Sequence, residues 1–268
     1  MRAYSSTRIE HPASGREHSL SKQPEDEGSN PSRPIRIKKR VKMVKKERKK
    51  YVSVRELYDV WAEKYDGQNN LLFFLEEQIT RKLFNFRGKE ILDLGCGAGR
   101  YSIPLARKNR VVAVDFNKKM LNIARGKSER DKVKINFVQE DVTKFKPARK
   151  FDIIISMMVQ DQVRNLNKVG RVIYSASKKG TEVFISNAHS TKIYEILSRG
   201  KSEIIPGYLI DEYYHPLGEY LKVFRKLGFE LVDYKDIIFE KKYFNIIEAP
   251  EILRNKPLGV LYHFRRIR

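Results

Sequence analysis

The stretch Glu90–Arg100, EILDLGCGAGR, constrains this chain more than any other. Ile91, Leu92 and Leu94 read as a short buried strand, after which the chain turns sharply into a helix beginning near Tyr101. Gly95, Gly97 and Gly99 permit a tight turn and let a ligand lie against bare backbone. A helix N-terminus aimed at such a turn suits the anionic part of a cofactor.

The composition of the turn narrows the ligand. A dinucleotide fingerprint places glycines at the first, third and sixth positions. Here the sixth position is Arg100, so the pattern is GxGxG. Asp93 precedes the glycines, where a carboxylate repels a pyrophosphate but suits an amino group and a sulfonium. Twenty residues past Gly95, a second apolar run, Arg110 to Val114, ends in Asp115. A carboxylate there can accept both hydroxyls of a ribose, a feature shared by several cofactors. Asp93 together with the missing glycine favours S-adenosylmethionine.

The core alternates strand and helix, as a doubly wound α/β sheet with helices on both faces requires. Strands are expected near 90–94, 110–114, 134–138, 151–156 and 181–187, and helices near 101–108, 117–126 and 165–177. Phe116 follows the ribose acid and can lie on an adenine face, with Met120 packed nearby. Asp141, with Val142 beside it, follows the third strand and can accept from the adenine amino group. Ahead of the sheet, Ser53 and Glu56 have capping-box spacing and start a helix. Its apolar face carries Leu57, Trp61 and Tyr65 at four-residue steps. A second helix is expected over Leu71–Phe84, with Leu72, Leu75, Ile79 and Leu83 inward. A helix over Lys222–Gly228, a strand over Phe229–Asp233 and a returning antiparallel strand over Leu258–Phe264 complete the chain.

Several stretches in register resemble the class I S-adenosylmethionine-dependent methyltransferases, in particular the broad group that includes quinone-biosynthesis and other small-molecule enzymes. LDLGCGAGR is similar to the family's first motif and VVAVDFNKKMLNIAR to its second. VQEDVTKF resembles the third, FDIIISMMV the fourth, and HPLGEYLKVFRKLGFELVDY the helix and sixth strand near the C-terminal end. The resemblance covers roughly Val52 to Arg268. It implies a Rossmann-like sheet of seven strands, mostly parallel, with one antiparallel C-terminal strand. It also implies cap helices over 51–86 and a substrate lid over 188–218. In the family a helix ending in Tyr-Asp covers the cofactor, which here selects Tyr65. The loop after the fourth strand faces sulfonium and substrate, which selects Ser156 for the cofactor and Gln160 and Asp161 for the acceptor. Asp161 either orients the acceptor and takes its proton or caps the next helix. His215 is either a general base or a structural histidine.

Charge raises a second question. Arg33 to Lys50 holds eleven Lys or Arg against one acid, Glu47, and the whole chain carries +22. Tyr51–Arg268 alone has 40 basic and 27 acidic residues, a balance of +13. Such a surface suits a polyanion, though it also suits a thermophile protein rich in Lys, Arg and Glu. Residues 1–50 read as a disordered basic extension. Gly28-Ser29-Asn30-Pro31 is encodable by GGT-TCG-AAT-CC, the T-arm sequence of tRNA genes. Residues 1–42 are therefore either a translated extension or a frame read through a neighbouring tRNA gene, with Met43 the start. The lone cysteine, Cys96, leaves no cysteine-built zinc site within one chain, and no metal is expected. No apolar run approaches the roughly 20 residues of a membrane span, and a cytoplasmic location is expected.

Three functions stay open on this reading. The first is methylation of a nitrogen on an RNA base, in ribosomal or transfer RNA, favoured by charge and by aromatics interleaved with bases between Asn187 and Gly218. The second is methylation of a quinone-like or other small metabolite, favoured by the motifs. The third is a non-catalytic protein that binds cofactor and RNA.

Overall fold

The computed structural model describes residues 49–67, 70–189, 201–202, 205 and 207–268. The extension over 1–42, most of the basic run before Lys49, and Lys192, Tyr194 and Arg199 of the expected lid lie outside the described residues.

The chain begins with β1 (Lys50–Tyr51) and α1 (Val54–Trp61), followed by a 3-10 turn over Ala62–Gly67. Ser53 starts α1 as its spacing predicts: its hydroxyl accepts the Glu56 N–H at 3.2 Å, and the Glu56 carboxylate accepts the Ser53 N–H at 2.9 Å. Next come α2 (Leu71–Leu83), capped by Asn70, then β2 (Glu90–Leu94), α3 (Ser102–Ala106), β3 (Arg110–Asp115) and α4 (Lys118–Arg130). They are followed by β4 (Ile135–Gln139), β5 (Phe151–Met157), α5 (Leu166–Ala176), β6 (Ser177–Ala188), β7 (Lys201–Ser202) and β8 (Tyr208–Asp211). The chain closes with α6 (Leu217–Lys226), β9 (Phe229–Ile238) and β10 (Pro257–Arg266).

Seven strands make one sheet in the order β4-β3-β2-β5-β6-β10-β9, and β10 runs antiparallel to both its neighbours. This is the doubly wound, mostly parallel sheet that the alternation and motifs imply. Side chains alternate across it with period two. Leu92 and Leu94 face α5 and α6, in a core completed by Ile173, Tyr220 and Phe224. Ile91 faces the opposite core with Tyr101, Leu105 and Leu121. Asp93 shares that second face, which fixes its neighbours.

Two elements differ from expectation. The first helix after the glycine turn is only five residues long, starting one residue past Tyr101. The lid region does not stand alone either: β8 pairs with β1 in parallel and with β7 antiparallel, making a small second sheet. Ile205 and Ile210 from this region pack with Val52, Leu57 and Trp61. Among the described residues, the cap and this region therefore pack together from chain segments about 150 residues apart.

Candidate functional site

A cavity of about 660 Å³ opens at the C-terminal ends of β2, β3, β4 and β5, where a doubly wound sheet places its ligands. Its floor is the glycine turn. Gly95 and Gly97 have φ of +80° and +52°, left-handed values that favour glycine. A Cβ at Gly95 would stand 2.4 Å from Val159 Cγ2, so only glycine lets that side chain lie over the turn. At Gly97 the space opens toward Met120 and the Tyr65 hydroxyl, 3.8 Å from the same imagined atom.

Asp115 ends β3 with its carboxyl turned to the cavity and almost entirely buried. One oxygen accepts the Gly97 N–H and the other the Asn117 N–H, each at 2.8 Å. Burial pushes its pKa above the usual carboxylate value in spite of these bonds. Phe116, Asp141 and Val142 line the same cavity, as does Tyr65. The Arg55 guanidinium lies 4.9 Å from the Phe116 ring centroid and donates to the Phe116 carbonyl at 3.2 Å. Asp141 is shaped by Thr143, whose N–H and hydroxyl both donate to Oδ1 at 2.7 Å. Asn117 caps α4 and donates to Asp59 of α1 at 2.7 Å, which ties the cap to the cofactor side.

Other selected residues lie behind the wall. Asp93 is buried on the α3 face, where Ser102 donates to it at 2.5 Å. Burial pushes its carboxyl up to about 7 although that bond works the other way. Gly99 packs against Ile103 and Ala124, and Met120 lies in a cluster with Ala62 and Ala98. Ser156 donates to the Leu94 carbonyl at 2.8 Å and accepts from Gln160 at 2.7 Å, a strut between β5 and β2. Cys96 is a buried thiol of the turn, raised by burial.

The candidate acceptor groups are likewise set back. Asp161 accepts the Ala188 N–H at 3.0 Å, and burial raises its carboxyl to about 7. Glu212, absent from the sequence reading, stands close enough for that charge to act on it; burial and then Asp161 raise it to about 8. His215 donates through Nε2 to the Val163 carbonyl at 2.7 Å, and its Nδ1 lies 3.0 Å from the Glu219 carboxylate. It fastens the start of α6 to the β5–α5 loop and does not face the cavity. Asp115 and Asp141 are the carboxylates that line it among the described residues.

The sequence reading missed the partners of Arg100. Its guanidinium meets the fully buried Glu76 of α2 at 2.5 Å and lies 4.3 Å from the Phe73 ring centroid. Burial opposes the guanidinium charge, and the carboxylate outweighs it, so its pKa rises. An acid on the stripe shared by Leu72 and Thr80 was the available signal. Phe73, Tyr58 and Gln162 also line the cavity, and Gln162 donates to the Tyr58 hydroxyl at 2.9 Å.

A family model described as "Methyltransferase domain" matches residues 85–208, which include the glycine turn and every strand around the cavity floor. This stretch is a methyltransferase domain of the class I S-adenosylmethionine-dependent type. Within that family, a ubiquinone biosynthesis O-methyltransferase of Coxiella burnetii is 32% identical over 117 residues, 43% of this chain and 48% of the relative. The chain thus spans about half the length of the Coxiella relatives it matches. A demethylmenaquinone methyltransferase of Leptospira interrogans is 28% identical over 230 residues, 74% of this chain and 92% of the relative. Among solved structures, a magnesium protoporphyrin IX methyltransferase of Synechocystis with bound S-adenosylhomocysteine superposes with a TM-score of 0.59 at 20% identity. That match covers 79% of this chain and 94% of the other and shows the shared methyltransferase fold. Among the described residues no cluster of His, Cys, Asp or Glu could hold a metal ion, and no helix is long and apolar enough to cross a membrane.

Proposed function

We propose that this chain transfers the methyl group of S-adenosylmethionine to a small, largely apolar acceptor of the phenolic or quinone-like class. The residues fit the cofactor: bare backbone at Gly95 and Gly97, a buried carboxylate at Asp115, and Phe116, Asp141 and Val142 beyond it. The cofactor supplies a methyl group on a sulfonium, already activated for in-line displacement. The protein's part is to bind, orient and keep water out. Asp115 accepts the ribose hydroxyls, Phe116 and Val142 flank the adenine, and the free oxygen of Asp141 accepts its amino group. Tyr65 covers the turn.

The observation that carries the acceptor class is the wall opposite the turn. Met157, Met158 and Val159 form it, with Tyr65 and Phe73 beside them and the cap above. A roofed apolar wall suits a compact ring better than an extruded base with its phosphates. The quinone-biosynthesis names of the relatives support the same reading, and they support it over RNA. Asp161 and Glu212 lie behind this wall and act on the loop's position rather than on the acceptor's proton.

One observation favours the RNA reading: Arg55, Arg164 and Lys168 share the rim of the cavity. Assay of S-adenosylhomocysteine formation separates the two. Turnover with phenols and hydroquinones that is unchanged between 50 mM and 300 mM salt supports the small acceptor. Turnover with unmodified RNA alone, falling steeply with salt, overturns it.

A further inference from the structure

The glycine turn and the acceptor wall are joined through a buried polar chain. Ser186 of β6 is fully buried; its hydroxyl accepts the Met158 N–H at 3.1 Å and donates to the Glu76 carboxylate. The same carboxylate takes the Arg100 guanidinium at 2.5 Å and the Tyr101 hydroxyl at 2.8 Å. Arg100 and Tyr101 are the residues that leave the glycine turn. Met158 is held at φ +58°, a left-handed conformation costly for a side chain of its size. It immediately follows Met157 and precedes Val159, the residue that overlies Gly95.

These contacts converge on one role. A left-handed methionine persists only where its surroundings over-determine it, and its N–H here is bound twice, by the Ser186 hydroxyl and by the Ser186 carbonyl at 2.9 Å. A hydroxyl that donates to a carboxylate is a directed acceptor, so Glu76 sets the angle at which Ser186 receives that N–H. Arg100 holds Glu76 in place within a region where an unpaired carboxylate would be expelled.

We propose that Glu76 and Ser186 are positioning residues: through Arg100 and Tyr101 they set the gap between the glycine turn and the Met157–Val159 wall, and so the fit of cofactor and acceptor. The proposal rests on the assignment of this cavity to S-adenosylmethionine. It predicts that α2 docking and the shape of the methyl-transfer wall are one event, because a single carboxylate serves both.

The test is methyl-carbon NMR on the full chain labelled at its five methionines, with S-adenosylhomocysteine as the probe. Ser186→Ala keeps the Glu76–Arg100 pair and the Ser186 carbonyl bond to the Met158 N–H, and removes the hydroxyl that joins Glu76 to Met158. It is expected to shift or broaden the Met157 and Met158 signals, to leave Met120 unmoved, and to weaken binding of the probe about tenfold. Glu76→Gln is expected to do the same with a larger loss of melting temperature. Ser186→Thr, which keeps the hydroxyl, restores the Met158 signal. Unchanged Met157 and Met158 signals and unchanged binding in Ser186→Ala, with only a lower melting temperature, overturn the proposal. If the unaltered protein fails to bind the probe, the cofactor assignment falls, whereas the methionine signals still report on the link.

Discussion

The two halves of the cavity are built by opposite means. The cofactor half comes from contiguous motifs: Gly95, Gly97, Asp115, Phe116, Asp141 and Val142 each lie at or just past the end of a parallel strand. Their geometry is largely local, and the hydrogen bonds that hold the Asp115 and Asp141 carboxylates reach at most 18 residues along the chain. The acceptor half is assembled from afar. Glu76 reaches Ser186 across 110 residues, Gln162 reaches Tyr58 across 104, and β1 pairs with β8. On the proposed function, cofactor binding is a property of the sheet, whereas acceptor choice is a property of the cap packed on it.

Perturbing each half separately can break that comparison. The largest effect is expected from Trp61→Ala, which empties the shared core of cap and lid. It should cost about 3–5 kcal/mol of stability in denaturant melts. A smaller change, with the cap melting no earlier than the sheet by hydrogen exchange, would show that the cap is not a distinct layer. Next is Gly95→Val, where the added atoms collide with Val159 and the φ of +80° disfavours a branched side chain. Cofactor binding by calorimetry should weaken by about 100-fold or more with the circular dichroism spectrum unchanged. Asp115→Ala should follow at about tenfold to 100-fold, since it removes a buried acceptor and leaves the Gly97 and Asn117 N–H groups unpartnered.

A weaker effect is expected from pH. Asp161 and Glu212 titrate at about 7 and 8 in the folded chain, against 3.8 and 4.5 for exposed groups. The folded state then holds protons that the unfolded chain has already released between about pH 4 and pH 8. Stability therefore falls as the pH rises through that window. Asp161→Asn keeps an acceptor for the Ala188 N–H and relieves Glu212 of a like charge. The difference in melting temperature between pH 5.5 and pH 8.5 should shrink in that variant. The smallest effect on turnover is expected from His215→Gln. Because the imidazole holds α6 and not the cavity, turnover should change by about twofold or less, with a modest loss of stability. A loss of two orders of magnitude in turnover alone would restore His215 as a base.

Much of the cofactor half was legible in the sequence because its signals are periodic and local. Strand ends, glycine spacing and the acid that ends β3 each carry their own geometry, and the seven-stranded, mostly parallel sheet is what the family resemblance implies. Asp93 shows where that legibility stops: its spacing before the glycines is plain, but the two-residue period of β2 turns it to Ser102 and not to the cavity. Ser156 is similar, a hydroxyl spent on the Leu94 carbonyl. Arg100 could be read only as a missing glycine, because its meaning lies in Glu76, a residue on another helix. The pairing of β1 with β8 was hidden for the same reason. Two- and four-residue strands carry almost no pattern, and their partner is remote.

The most direct measurement is transfer of labelled methyl from S-adenosylmethionine into small-molecule, lipid, protein and RNA pools from cells lacking the enzyme, with Asp115→Ala as the blank. The account predicts label in the small-molecule or lipid pool, dependent on Asp115 and insensitive to salt. Label confined to RNA, or no label in any pool despite cofactor binding, would contradict it.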